Sequence, residues 1–391
     1  MKSVTFPVIL AGWGKPRDFP EKRVHHAADH GLNPPVSGRA VQLDGLRAIA
    51  MLAICWDHWC PVGWPRVFPF EVFLFFFLVL TGYLITGSLL RERDRGEARG
   101  GAWKTAALRN YQIRRGLRIL APYYAALALA WLVRAPDVTG AGMPWYLFHL
   151  SNIHMAFLGY WPQGTNHFWS LAIQQQFYLI WPFVIWFLPR KWLLAAILVF
   201  SALGPLSRMF HDSFVPWCAW PQVLTWAAFD YFGIGGLLAL AVHRGMSLES
   251  PGLRCLSVVA LAGYLAVFGA HALGWPTFGL RAFQQTLLAV ALCGLIVASS
   301  VGFSGVASKL LEHPLLQRIG ALSYGVYLFH NLAPLVVGKI FWFLWSAPFE
   351  SGLGALLKVA VFAVVTWGLT LASWRWIEQP LQGVRAKLAP R

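Results

Sequence analysis

Long apolar blocks separated by short, mostly basic connections dominate the chain. Runs of at least sixteen residues fall at roughly 45–61, 70–90, 119–134, 169–188, 192–210, 222–242, 255–273, 282–301, 319–338 and 353–374. About 20 apolar residues carry a helix across a bilayer core, so each block reads as a membrane-spanning helix. The fold class is therefore all-α: a polytopic membrane protein of about ten transmembrane helices. One further stretch, 143–161, is apolar but interrupted by Pro144, His149, Ser151, Asn152 and His154.

Charge orients the blocks and decides about that stretch. The connection 91–118 carries nine Lys and Arg against three acids, the strongest positive-inside signal in the chain. If 143–161 does not cross, Arg190, Lys191, Arg244, Arg254, Lys309, Arg318, Arg375, Arg385, Lys387 and Arg391 also face inward. If it crosses, those ten move outside and only Arg281 and Lys339 of the later connections remain inside. The expectation is ten spans, both termini cytoplasmic, and 143–168 lying on or re-entering the outer face. Residues 1–43 are polar and rich in Pro, Gly and His, and read as a mobile cytoplasmic tail. Residues 44–380 form one membrane domain, and 381–391 a basic cytoplasmic tail. His25, His26 and His30 read as solvated, and no metal site is expected.

Composition agrees. Hydrophobic residues make up 57% of the 391-residue chain and charged residues 12%, about half the charge of a soluble domain. That excludes an ordinary soluble enzyme, and 28 Phe with 21 Trp exclude a disordered chain. The net charge of +16 fits inner-face loops and anionic headgroups. Nucleic acid is not expected as a partner, because no basic segment outside the apolar runs is interleaved with aromatics. Five cysteines exclude a complete disulfide framework. Cys60 and Cys218 fall on outer loops, where either a bridge or two thiols that never meet is open; the second is expected.

Ionisable groups cost about 2.5–3.5 kcal/mol each in a membrane and mark candidate chemistry. The first span holds Asp44, Arg47, Asp57 and His58. Arg47 and His58 are eleven residues apart, which places them on one helix face about 16 Å apart along the axis. A snorkelling arginine and a hydrogen-bonded core histidine are the bland alternative. Arg115 and Arg118 lie three apart at the inner surface. They are able to grip a phosphate-bearing ligand or lipid headgroups. Gln174, Gln175 and Gln176 open a membrane helix that continues to Tyr178, and such amides face a cavity or neighbouring helices. Asp230, Tyr327 and His330 lie in later spans. In this topology His58, Gln174, Asp230 and His330 share the outer half of the membrane, which implies one buried site. The arginine pair lies opposite, so one partner enters from each face.

These segments, in this order, resemble the integral-membrane acyltransferase 3 family. The matches are LDGLRAIAMLAICWDHW with its Arg and His eleven apart, FFLVLTGYLIT, RRGLRIL, FWSLAIQQQFYLIWP, LSYGVYLFH and RWIEQP, spanning residues 43–380. The resemblance implies a cytoplasmic acyl-CoA, usually acetyl-CoA, as co-substrate and no permanently bound cofactor. It implies O-acylation of a hydroxylated acceptor: a glycan or lipid-linked saccharide first, a macrolide-type natural product second. Arg47 and His58 would be the catalytic pair, and Arg115 and Arg118 would serve the CoA end. A histidine titrates near neutrality and is suited to take the acceptor's proton. The expected location is a bacterial plasma membrane.

Three positions depart from the family pattern. Gln174 and Gln175 stand where glutamates are common, and Phe75 where an aspartate is common. Gln174 cannot pair with His58 as an anion, which leaves Asp57 or Asp230 to supply a charge. A transporter fits ten spans loosely, but no inverted repeat supports it. A relative that kept the fold and lost the chemistry has only the glutamines in its favour.

Overall fold

The computed structural model describes residues 39–61, 64, 71–346 and 349–388. The tail histidines, most of the connection 62–70 and the last three residues lie outside the described residues. The chain divides after Val36, and all that follows concerns the unit from Ser37 onward.

Among the described residues the fold is all-helical, without a strand. In chain order the helices are α1 (Arg39–Trp59), α2 (Glu71–Arg99), α3 (Trp103–Leu132), α4 (Met143–Leu147), α5 (Ser151–Phe157), α6 (Phe168–Phe187), α7 (Leu193–Phe214) and α8 (Phe229–His243). Then come α9 (Pro251–Ala272), α10 (Phe278–Val301), α11 (Gly305–Leu311), α12 (Pro314–Ala321), α13 (Ser323–Phe329), α14 (Ala333–Ile340), α15 (Gly352–Ser373) and α16 (Gln379–Leu388). A π-helical turn, Trp374–Glu378, joins the last two.

Among the described residues six helical stretches are long and apolar enough to cross a membrane: Val72–Arg99, Arg190–His211, Thr225–His243, Pro251–Ala272, Gly279–Val301 and Gly352–Val384. The other expected spans differ for local reasons. Helix α1 carries Asp44, Arg47 and Asp57, the first half of α3 is basic, and α6 is diluted by three glutamines. The ambiguous stretch 143–161 forms two helices of five and seven residues, each too short to cross.

The expected ninth span is broken into α12, α13 and α14, and Pro334 explains the second break. Proline has no N–H to give the carbonyl four residues back, and its ring crowds it. The freed His330 carbonyl accepts the indole N–H of Trp59 instead, at 3.0 Å. A backbone group in a low-dielectric interior thus keeps a partner, and α1 is tied to the break.

Close helix contacts hold the core around α2. A Cβ on Gly82 would overlap the Phe232 carbonyl, and one on Gly235 would overlap the Val79 carbonyl. Only glycine lets α2 and α8 approach this closely. Two buried indoles then tie α6 to α2: Trp181 donates to Thr86 Oγ1 at 2.7 Å and Trp186 to the Leu89 carbonyl at 2.9 Å. Helix α9 turns Val258, Val259, Leu261 and Leu265 outward, as a lipid-facing helix does. All five cysteines are free thiols, so Cys60 and Cys218 do not form a bridge.

Candidate functional site

A cavity of about 200 Å³ lies between α1, α2, α3, α6 and α13. Helical spacing aims its polar residues inward. Arg115 and Arg118 are three apart on α3, Gln174 and Tyr178 four apart on α6, and Ser323 and Tyr327 four apart on α13. Arg47 completes a set of three guanidinium groups. It pairs with Asp44 at 2.7 Å and donates to Ser323 Oγ at 2.9 Å, which fixes its direction. The Arg115 guanidinium lies 5.2 Å from the centre of the Tyr178 ring and 5.8 Å from that of Tyr111, within cation–π range. Tyr178 in turn donates to Gln174 Oε1 at 3.4 Å.

Met51, Leu74, Phe77 and Leu171 add apolar surface to the cavity wall. Tyr327 stands in the same wall, its hydroxyl 2.6 Å from Ser170 Oγ and 3.2 Å from the His167 carbonyl. Behind Tyr327 three imidazoles meet. His330 contacts His58 edge-on at 4.8 Å and His167 at 4.9 Å between ring centres.

Each of these rings has one nitrogen against a backbone carbonyl: His58 Nδ1 on Ile54 at 2.9 Å, His330 Nδ1 on Tyr327 at 2.6 Å, and His167 Nε2 on Leu328 at 3.1 Å. A carbonyl only accepts, so those nitrogens carry the protons, and in the neutral rings the other nitrogen is a bare acceptor. His58 therefore presents Nε2 as a base. His167 and His330 are buried, and their second nitrogens have no partner among the described residues. His58 is exposed. Among the described residues no group of His, Cys, Asp and Glu is arranged to hold a metal ion.

The expected site residues thus separate. Arg47, Arg115, Arg118, Gln174, Tyr178 and Tyr327 share the cavity; His58 and His330 stand behind Tyr327; Asp57 is half-buried beside His58 and does not line the cavity. Asp230 is elsewhere. It is fully buried, 2.5 Å from Arg208 Nη2 and accepting from Thr286 at 2.6 Å. Its charge is matched within α7, α8 and α10 and is not offered to His58. Phe75 stacks on Tyr231 with ring centres 4.4 Å apart, so this position serves apolar packing. Gln176 is also a tie: it donates to the His149 carbonyl and Asn152 Oδ1, both at 2.9 Å, and accepts from Thr225.

Sequence reasoning missed Ser323, Tyr324, His167 and Ser170. Ser323, Tyr327 and His330 stand at i, i+4 and i+7 of one motif, a one-face signal that was available. His167 and Ser170 had no such signal, because their contacts are with α13, about 160 residues away in sequence.

The chain is 27% identical to peptidoglycan O-acetyltransferase OatA of Listeria monocytogenes over 369 residues, covering 87% of this chain and 55% of that protein. It is 27% identical to the putative peptidoglycan O-acetyltransferase YrhL of Bacillus subtilis, again spanning 55% of it. Nodulation protein 10 of Rhizobium leguminosarum bv. viciae is 26% identical and is covered over 98% of its length. The chain therefore spans about half the length of the two acetyltransferases. No solved structure matches it. Residues 41–375 match the acyltransferase domain model, and this membrane protein belongs to the acyltransferase 3 family.

Proposed function

We propose that the chain transfers an acyl group, acetyl in the first place, from a cytoplasmic acyl-CoA to a hydroxyl of a glycan or lipid-linked saccharide. One observation carries this reading: a cavity lined by three guanidinium groups is also lined by Tyr327, behind which His330 contacts His58, a histidine that presents a bare ring nitrogen. The relatives named as O-acetyltransferases support the reaction class. In this reading residues 44–380 form a ten-span domain of the cell membrane with both termini cytoplasmic. The arginines face inward and His58 outward.

His58 Nε2 takes the proton of the acceptor hydroxyl as its oxygen attacks the thioester carbonyl. The new C–O bond forms, the C–S bond breaks, and the electron pair leaves on the CoA thiolate, which takes a proton from water; His58 then returns its proton to water and is regenerated. Positioned proton transfer of this kind contributes about 10²–10⁴-fold. Arg47 lies about 16 Å along α1 from His58, so it acts on the donor with Arg115 and Arg118 rather than on the proton. The test is acetyl transfer from labelled acetyl-CoA in membrane vesicles, joined to mass spectrometry of surface glycans with and without the gene. Ester-linked acetyl groups that vanish with the gene are expected. Glycans unchanged by its loss would contradict the acceptor class.

A further inference from the structure

A second cavity, of about 210 Å³, lies beside the first. Arg47, Arg118 and Tyr324 line both. Much of the remaining wall comes from the π turn after α15 and from α16: Trp374 and Glu378 at the two ends of the turn, and Gln382 four residues on. In a plain α-helix a row at i, i+4, i+8 drifts forward by about 40° per step. The wider π turn offsets that drift, so the indole, the carboxylate and the amide converge on one chamber.

The chemistry of this chamber differs from that of the first. Glu378 is half-buried, accepts from Ser373 at 3.2 Å and lies within electrostatic reach of Arg118. A carboxylate repels phosphate but accepts from an amine. An amide both donates and accepts, and an indole face stacks on a flat ring. Together they match a purine, with stacking as the main attraction. Guanidinium groups match phosphates, and they stand on the shared wall.

We propose that the second cavity is a purine subsite: the adenine of acyl-CoA lies against Trp374 with its exocyclic amine toward Glu378. The phosphates meet Arg47 and Arg118 at the junction, and the pantetheine arm carries the acyl group into the first cavity. The proposal rests on the acyl-CoA reading given above.

The test measures binding of CoA and of 4′-phosphopantetheine, which lacks the adenine nucleotide, to the purified full chain. The wild-type protein is expected to bind CoA more tightly. Trp374→Ala should lower the CoA-to-phosphopantetheine affinity ratio by roughly 10-fold, the range of one lost base stack. Gln382→Ala should lower it less, and Trp374→Phe should restore most of it. An unchanged ratio in Trp374→Ala, whether both affinities fall together or neither falls, overturns the subsite. Wild-type protein that binds neither ligand would instead refute the acyl-CoA reading, and the subsite with it.

Discussion

His58 has one ring nitrogen committed to its own helix, at the Ile54 carbonyl, and its side chain is exposed. Removing the ring therefore takes away a base without opening the core. His58→Ala is expected to lower acyl transfer at least 100-fold, with expression and membrane insertion retained. A variant that keeps more than about a tenth of the wild-type rate would contradict general-base catalysis. The arginines behave differently. Arg115 is held over Tyr178, a contact that uses the flat guanidinium face, and Lys reproduces neither that face nor a bidentate grip. Arg115→Lys should thus weaken donor binding nearly as much as Arg115→Ala, read as the affinity for CoA. Recovery of wild-type affinity in the lysine variant would reduce Arg115 to a point charge. Asp230 shows what a sequence hides at this scale. Its partner Arg208 sits 22 residues away on the preceding helix, and only packing reveals that a buried acid is already matched.

At the scale of helices, periodicity and block length made most of the fold legible. The blocks at 70–90, 192–210, 222–242, 255–273, 282–301 and 353–374 each correspond to a helix long enough to cross. The ninth block reads as one helix from its apolar run; Pro334 breaks it, and packing places Trp59 to satisfy the His330 carbonyl at the break. The cavity was legible as a list of residues and not as a shape, because which helix faces which is a matter of packing. The segment 143–161 carries a pH-dependent expectation. His149 packs against Tyr123 and Tyr124 of α3, and burial pushes its imidazole down to about 4. The unfolded segment, with an ordinary histidine near 6.5, binds a proton in that window that the folded one does not. Its packing is therefore fully stable above about 6.5 and weakens as pH falls toward 4. Protection from hydrogen exchange over 143–161, relative to the intrinsic rate at each pH, should fall across that interval, and less so in His149→Asn, which suits the positive φ of 54° there. Flat protection in the wild-type protein would rule this out.

For the whole molecule, the question is which face is which. Gln163 is exposed between α5 and α6, whereas a side chain at Gly164 would collide with Leu335. In a background carrying Cys255→Ser, which removes the exposed native thiol, Gln163→Cys is expected to react with an impermeant maleimide added outside the cell. Labelling from the cytoplasmic side alone would demand an eleventh crossing and invert every later loop.

The hydroxyl of Tyr327 sits on Ser170 and on the His167 carbonyl in the cavity wall. In electrical terms that contact is insulation. A bore running from the arginine cluster to His58 would carry water, and a file of water conducts protons down the membrane potential. In the proposed acyl transfer, the phenol and the imidazoles behind it leave room between the arginine cluster and His58 for the reacting groups and not for an open file of water. On that reading the energy of a thioester crosses the membrane by a path that does not conduct protons.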